Sequence, residues 1–505
     1  MTTRLPKRLP GIVVFAIALL YFWWIAGDAF ALSGDEGIYL EGGRRIAMGQ
    51  VPYRDFFVLT GPLTFWIEGV LGRLSGMSLS WMRLAMILDT SFLAWAVYWL
   101  CSRYTSTLFS AGSALAFLAY ESRLRLLNVN HRWDSAALAT ASIVLALMAH
   151  RSGRYGFWVI SGVLAAAAAW ATPSLLIVAA PVLWWSARRN GRGTLAFLAG
   201  GVLISAVSGI YLQWKHALVP MIQSLLWTSA NYTAPNRISY GNVWAGTSPD
   251  IPAWQYAAFT ALSMVPAILP PAAIAGWAWY WRDSENRVEI AEILPMLAAA
   301  AALTLAAWPR WSSDALLHTM ALSCFLCAVL LYRLTTPRQR IVWCGAILVV
   351  ATVYVGSKTI APFSYPAIET RAGTLRDSSG EGELLAELER WIQPGDSLFS
   401  FPYLPSAYFF LSAGNPTRYT FLQPGMMNPE DERRAIDELR AKPPRWVIYE
   451  KFPPQAVLHI WPGSDLGRIS MAAMNGYLGE NYRQVETVSG PRGRLVVMQR
   501  ATPMR

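Results

Sequence analysis

Charge is scarce in this chain. Only 14% of its 505 residues are charged, 54% are hydrophobic, and the mean hydropathy is +0.32. Length alone would suggest about three domains, but this balance excludes a soluble multidomain protein and points to a polytopic membrane protein. Cysteine is scarcer still. Cys101, Cys324, Cys327 and Cys344 all lie in apolar segments, so no disulfide framework is indicated. Cys324 and Cys327 form a C-x-x-C inside a run of Leu, Ala and Phe, with no His or carboxylate beside them. That reads as a buried helix, not a metal or redox site. The chain has no Walker loop, no H-E-x-x-H, no G-x-S-x-G, no Zn-spaced Cys/His set, no internal repeat and no low-complexity segment.

What is present is apolar runs. A membrane span needs about 20 such residues, and eleven candidates stand out: 10–31, 82–101, 105–121, 134–150, 156–171, 173–187, 194–214, 254–281, 293–308, 315–332 and 340–356. The 24 tryptophans and 21 tyrosines suit a chain with many membrane–water interfaces. Arg4, Lys7 and Arg8 precede the first run, but no A-x-A-type site follows it, so it reads as a retained span. Thr172-Pro173 predicts a break between the fifth and sixth candidates. Residues 61–76 are aromatic and apolar but carry Glu68 and Arg73, which predicts an amphipathic helix lying in the interface.

The net charge of +11 is uneven. Residues 358–505 hold 17 Lys/Arg and 16 Asp/Glu, whereas residues 1–357 hold 25 and 15. A nucleic-acid binder would gather the excess in a basic patch on a soluble face; here it falls in short loops, which argues against a nucleic-acid partner. With the N-terminus placed in the cytoplasm, five inner segments carry twelve basic residues and no acidic one, and a sixth, 282–292, is mixed. Residues 33–81, 122–133, 215–253, 309–314 and everything after 357 then lie outside. The expected organisation is a mainly α membrane bundle of about eleven transmembrane helices over 1–357, with a first outer loop at 33–81. A small soluble extracytoplasmic α/β domain would follow at 358–505. In that tail, LLAELERWIQ and PEDERRAIDELRA read as helices, SLFSF and PRWVIYE as strands, and YRQVETVSGPRGRLVVMQR as a hairpin.

Polar groups collect on the expected outer side. Asp35 and Glu36 stand side by side after the first span, flanked by Gly34 and Gly37, which allow close approach or unusual backbone angles. Arg44, Arg45, Tyr53 and Asp55 follow. The stretch NVNHRWDS (128–135) offers His131, Arg132 and Asp134, the last also placed to cap a helix. In WPRWSSDALLHTM (308–320), Arg310 sits at the boundary, while Asp314 and His318 are four apart and share a helix face. An ionisable group at His318, about a turn into the membrane, is expensive unless it faces a cavity or partner. The aromatic and polar stretch 227–249 suits a carbohydrate, a lipid headgroup or an ordinary interfacial loop.

DEGIYLEGGRRIAMGQVPYRDFFVLTGP resembles the first loop of membrane glycosyltransferases of the GT-C fold, in particular the bacterial branch similar to protein O-mannosyltransferases and lipid A aminoarabinose transferases. SGVLAAAAAWATPSLL resembles the paired short helices of that fold, PRWSSDALLH its late outer loop, and ERWIQPGDSLFSFPYLPSAYFFLSAGNPTRY its extracytoplasmic domain. The chain departs from the pattern at Ser174, where relatives often carry a charge, and NHRWDS matches the family's second loop only at Asp134.

The resemblance implies a multi-pass protein of the bacterial plasma membrane. It would move a sugar from a polyprenyl-phosphate donor in the bilayer to an extracytoplasmic glycan, lipid or protein, with inversion. Asp35 then matches the family's catalytic carboxylate, with Glu36 and Asp134 as positioning members of the catalytic set. Arg310, Arg132 and His318 would meet the donor phosphate. Arg44, Arg45, Tyr53, Asp55, His131 and Asp314 would contact substrate. No cofactor and no metal is expected. The competing reading is a transporter or flippase of lipid-linked sugars. It is disfavoured by the missing internal repeat and by polar clusters at one face instead of mid-membrane.

Overall fold

The computed structural model describes residues 9–123, 126–189, 191–243, 252–282, 287–491 and 493–501. Arg4, Lys7 and Arg8, part of the 282–292 segment and positions 244–249 of the aromatic stretch lie outside the described residues. The architecture is mostly helical, with two small sheets towards the C-terminus. Each of the eleven apolar candidates falls on a helix or a broken helix, but among the described residues only six helices are long and apolar enough to cross a membrane. These are Leu9–Ala26, Leu84–Cys101, His131–Ser152, Gly191–Trp214, Glu289–Ala306 and Pro337–Ser364. A seventh would be the pair Trp254–Ser263 and Val265–Tyr280, bent by 53°.

The break at Thr172-Pro173 occurs as the sequence dictates. Tyr155–Ala171 ends with Thr172 in an extended conformation, and Pro173 opens a 3-10 turn, Pro173–Val178, that runs into Ala179–Arg189. Clash with the proline ring holds the preceding residue out of the helical region. Tyr155–Ala171 also crosses Gly191–Trp214 closely. A Cβ on Gly162 would lie 1.9 Å from the Phe197 carbonyl, and one on Gly200 2.0 Å from that of Val159. Small residues at such a crossing let the backbones touch, which is how helices gain packing in lipid.

Residues 33–81 are not an open loop. They fold as Gly34–Ala47, Leu63–Ser75 and Leu79–Met82, with the first two packed together. Ser33 starts the first helix, its hydroxyl accepting from the Glu36 amide. The 61–76 helix forms, but its acidic side does not face the interface: Glu68 is 1% exposed, while Arg73 is exposed.

Strand β1 (Ala29–Phe30) follows the first helix. Strands β2 (Ala367–Thr370) and β3 (Gly373–Asp377) form a hairpin beyond the last long helix, and β1 pairs in parallel with β3, Ala29 opposite Arg376. An Arg376–Asp28 ion pair ties the same junction. Strands β4 (Leu398–Phe401), β5 (Trp446–Glu450), β6 (Tyr482–Gly490) and β7 (Gly493–Arg500) form a sheet in the order β4-β5-β7-β6, with β4 and β5 parallel. The expected helices Gly382–Trp391 and Pro429–Ala441 flank it. One apolar core runs through both parts: Phe30, Tyr39, Leu40 and Phe65 share it with Leu375, Leu384, Tyr408, Phe410 and Ile448. Residues beyond 357 are thereby built onto the first-loop helices.

Candidate functional site

Between the helices and the C-terminal sheet lies a cleft of about 1170 Å³. Asp35, on the first turn of Gly34–Ala47, is exposed in it. The Tyr403 hydroxyl donates to Asp35 Oδ1 at 2.8 Å. No hydrogen bond reaches Asp35 Oδ2 among the described residues. Burial pushes Tyr403 well above the usual tyrosine range, the Asp35 charge adds to the rise, and Arg310 opposes it. The hydroxyl therefore remains a donor.

Gly34 and Gly37 explain how a residue so distant in sequence reaches Asp35. A Cβ on Gly34 would lie 2.5 Å from Tyr403 Cε1, and one on Gly37 2.2 Å from the Ser406 amide nitrogen. The glycines flanking the acidic pair admit the protein's own 403–406 segment.

Glu36, expected beside Asp35 as part of the catalytic set, also lines the cleft but is held by Arg83. It is 1% exposed, and its oxygens accept from Arg83 Nε at 2.7 Å, Arg83 Nη2 at 2.6 Å and the Val129 amide at 3.0 Å. Arg83 also donates to the carbonyls of Ala26 and Ala29. This buried pair fastens the end of the first helix, the Asp35 helix and the 126–130 segment to one another. Adjacent residues on a helix lie about 100° apart, so the two carboxylates leave the helix in different directions.

Asp134 is likewise buried, at 5% exposure, bonded to the Thr64 hydroxyl and neighboured by Asp89. It does not cap its helix: Asn130 does, accepting from the Arg132 amide at 3.0 Å. Nearby Glu68 is pushed well above the ordinary carboxylate range by burial and then by the charges of Asp134 and Glu36.

Of the other expected residues, Arg132, Arg310, His318, His131 and Asp314 all line the cleft. Arg310 Nη1 donates to Asn236 at 3.3 Å, and His318 lies against the Trp133 ring, centroids 4.4 Å apart. His131 Nδ1 meets the Thr172 hydroxyl at 2.5 Å, so the proline break contributes directly to the cleft wall. Ser174 lines it as well, its hydroxyl donating to the Ala306 carbonyl at 2.7 Å.

Arg44, Arg45, Tyr53 and Asp55, expected to contact substrate, do not line this cleft; Arg45 and Asp55 line a separate pocket of about 460 Å³. Arg44 pairs with Glu41 at 2.7 Å and donates to the Ala413 carbonyl at 2.6 Å. Arg45 donates to Gln50 and the Thr417 carbonyl and lies over the Phe56 ring. Tyr53 is 1% exposed and donates to the Thr60 carbonyl, while Asp55 pairs with Arg54 and accepts from the Val51 amide. The block is a clamp that holds the 413–418 segment against the first-loop helix. Arg44 and Arg45 each donate to a backbone carbonyl of that segment, while the Asp55 carboxylate is taken by Arg54 and the Val51 amide. Sequence reading missed Arg83, which looks like an ordinary cation at a span boundary, and Tyr403, which no motif flags.

Apolar helices, a helical first loop that lines a cleft, and a C-terminal sheet region on the cleft's other side make up the fold that the solved structures below share. The structural neighbours are glycosyltransferases of this fold. The archaeal oligosaccharyltransferase AglB from Archaeoglobus fulgidus, in complex with an inhibitory peptide and a dolichol-phosphate, superposes with a TM-score of 0.52 at 12% identity. That match covers 99% of this chain and 75% of the other. An A. fulgidus oligosaccharyltransferase tethered with an acceptor peptide gives 0.50 at 13% identity, covering 98% and 74%. ArnT from Cupriavidus metallidurans bound to undecaprenyl phosphate gives 0.44 at 13% identity, covering 98% and 99%. At these identities the likeness is one of fold. No family model and no curated protein matches the chain.

Proposed function

We propose that the protein is a membrane glycosyltransferase that moves a sugar from a polyprenyl-phosphate donor to an acceptor on the extracytoplasmic side. The observation that carries this reading is Asp35: an exposed carboxylate in a large cleft, with one oxygen fixed by Tyr403 and cations close by. The fold neighbour that binds dolichol-phosphate supports a lipid-linked donor.

In this reading Asp35 Oδ2 takes the proton of an acceptor hydroxyl as that oxygen attacks the anomeric carbon. The carbon–oxygen bond to phosphate breaks on the opposite face, its electron pair leaves with the lipid phosphate, and configuration inverts. Arg310 and Arg132 neutralise the developing phosphate charge, the role fixed cations serve in a site shielded from water. His131, His318 and Asp314 complete the wall around the sugar. Glu36 and Asp134 act from behind, by holding the Asp35 helix and its neighbours in place. Residues 358–505 form the extracytoplasmic part of the enzyme. Transfer from a synthetic polyprenyl-phosphate sugar by the purified protein, across a panel of acceptors, tests the proposal. Release of free lipid phosphate with a new glycosidic bond is the expected result, and intact donor under every condition would contradict it.

A further inference from the structure

The side of the cleft opposite the bundle is formed by C-terminal residues whose chemistry differs from that of the cation-bearing helices. Tyr403 and Phe452 are half-buried there, and Phe421 and Trp461 brace them from behind at 3% and 4% exposure. Tyr403 stands edge to face with Phe421 at 5.1 Å and 72° and with Trp461 at 5.2 Å and 71°, and Phe452 is tilted at 44° against Trp461, 6.3 Å away. Such packing fixes each ring in the wall. Gln423 lines the same wall at 3% exposure, and its amide Nε2 is buried with no hydrogen-bond partner among the described residues. A buried amide donor without a partner is unfavourable, and this one points to a ligand acceptor atom.

We infer that this wall is a saccharide subsite: the acceptor is a sugar, stacked by its C–H face on Tyr403 and Phe452, with a ring hydroxyl accepting from Gln423 Nε2. Rigid aromatic faces beside a few placed polar groups are the usual lining of a small polar-ligand pocket. The wall is built from residues 403–461 and meets Asp35 through Tyr403. The role as acceptor subsite rests on the transferase reading; saccharide binding itself does not.

The test is saturation-transfer difference NMR on the full chain in lipid nanodiscs. The probes are methyl α-mannoside, maltose, chitobiose and a threonine-containing hexapeptide. The expected result is enhancement on one face of at least one saccharide ring, with affinity about tenfold weaker in Phe452→Ala and in Gln423→Ala. No saccharide signal, signals equal in wild type and both wall variants, or binding of the peptide alone would each overturn the inference. Saccharide binding to a wild type that transfers nothing would leave the subsite standing and remove the transferase reading.

Discussion

Tyr403 and Asp35 are 368 residues apart and joined by a 2.8 Å hydrogen bond, so the C-terminal part of the chain completes the site begun by the first loop. Tyr403→Phe removes that bond and little else. With the carboxylate no longer oriented, kcat should fall about tenfold, as expected for one hydrogen bond to a charged group, while KM for the donor stays unchanged. Because Tyr403 is held well above the usual tyrosine range, its hydroxyl stays protonated where an ordinary tyrosine, near ~10, ionises. The alkaline limb of the pH–rate profile should therefore coincide in wild type and Tyr403→Phe. A limb present only in the wild type would show that the hydroxyl titrates there.

Gly37→Ala should separate the two parts of the site. Its added Cβ would meet the Ser406 backbone at 2.2 Å, which no rotamer change relieves. The expected outcome is faster amide exchange across 403–410 and a loss of turnover at least as large as that of Tyr403→Phe, with the membrane bundle intact. Unchanged exchange in that segment would contradict the close-approach account.

Glu36→Gln tests a different physical role from Asp35→Asn. The Glu36–Arg83 pair is buried on both sides. Removing one partner strands the other charge and is expected to destabilise by about 3–5 kcal/mol. Glu36→Gln and Arg83→Met should each lower the thermal midpoint in detergent, and the double variant Glu36→Leu/Arg83→Met should recover part of the loss. A folded, stable Glu36→Gln with reduced kcat alone would place Glu36 in the chemistry.

Arg310 separates phosphate binding from mere anchoring. Arg310→Ala should raise KM for a polyprenyl-phosphate sugar, and Arg310→Lys should restore part of it, since lysine keeps the charge but not the planar fork. Equal KM in wild type and Arg310→Ala would assign the side chain to its contact with Asn236 and to nothing more.

The location of the site was legible because charge is costly near apolar segments. Asp35, Arg132, Arg310 and His318 stand out against the runs around them, and all four line one cleft. The division of labour was not legible. Asp35 and Glu36 are equivalent as letters; only the helix beginning at Gly34 leaves one exposed in the cleft and buries the other against Arg83. Arg44 and Arg45 look as available to ligand as any cation, until the tertiary fold brings the Ala413 and Thr417 carbonyls to them. Gly34 and Gly37 announced a close approach without naming what approaches. In the tail, strands and charged helices followed their periodicities. The aromatic wall did not, because Tyr403, Phe421, Phe452 and Trp461 belong to separate segments that meet only in three dimensions.

The central claim is that Asp35 accepts the proton of the attacking hydroxyl. The most direct measurement is single-turnover transfer from a synthetic polyprenyl-phosphate sugar by purified wild type and Asp35→Asn, matched for thermal midpoint. Asparagine preserves the shape and can still accept from Tyr403 but cannot take a proton. The account predicts a rate about 10²–10⁴-fold lower with donor affinity unchanged. Near-wild-type turnover in Asp35→Asn would contradict it.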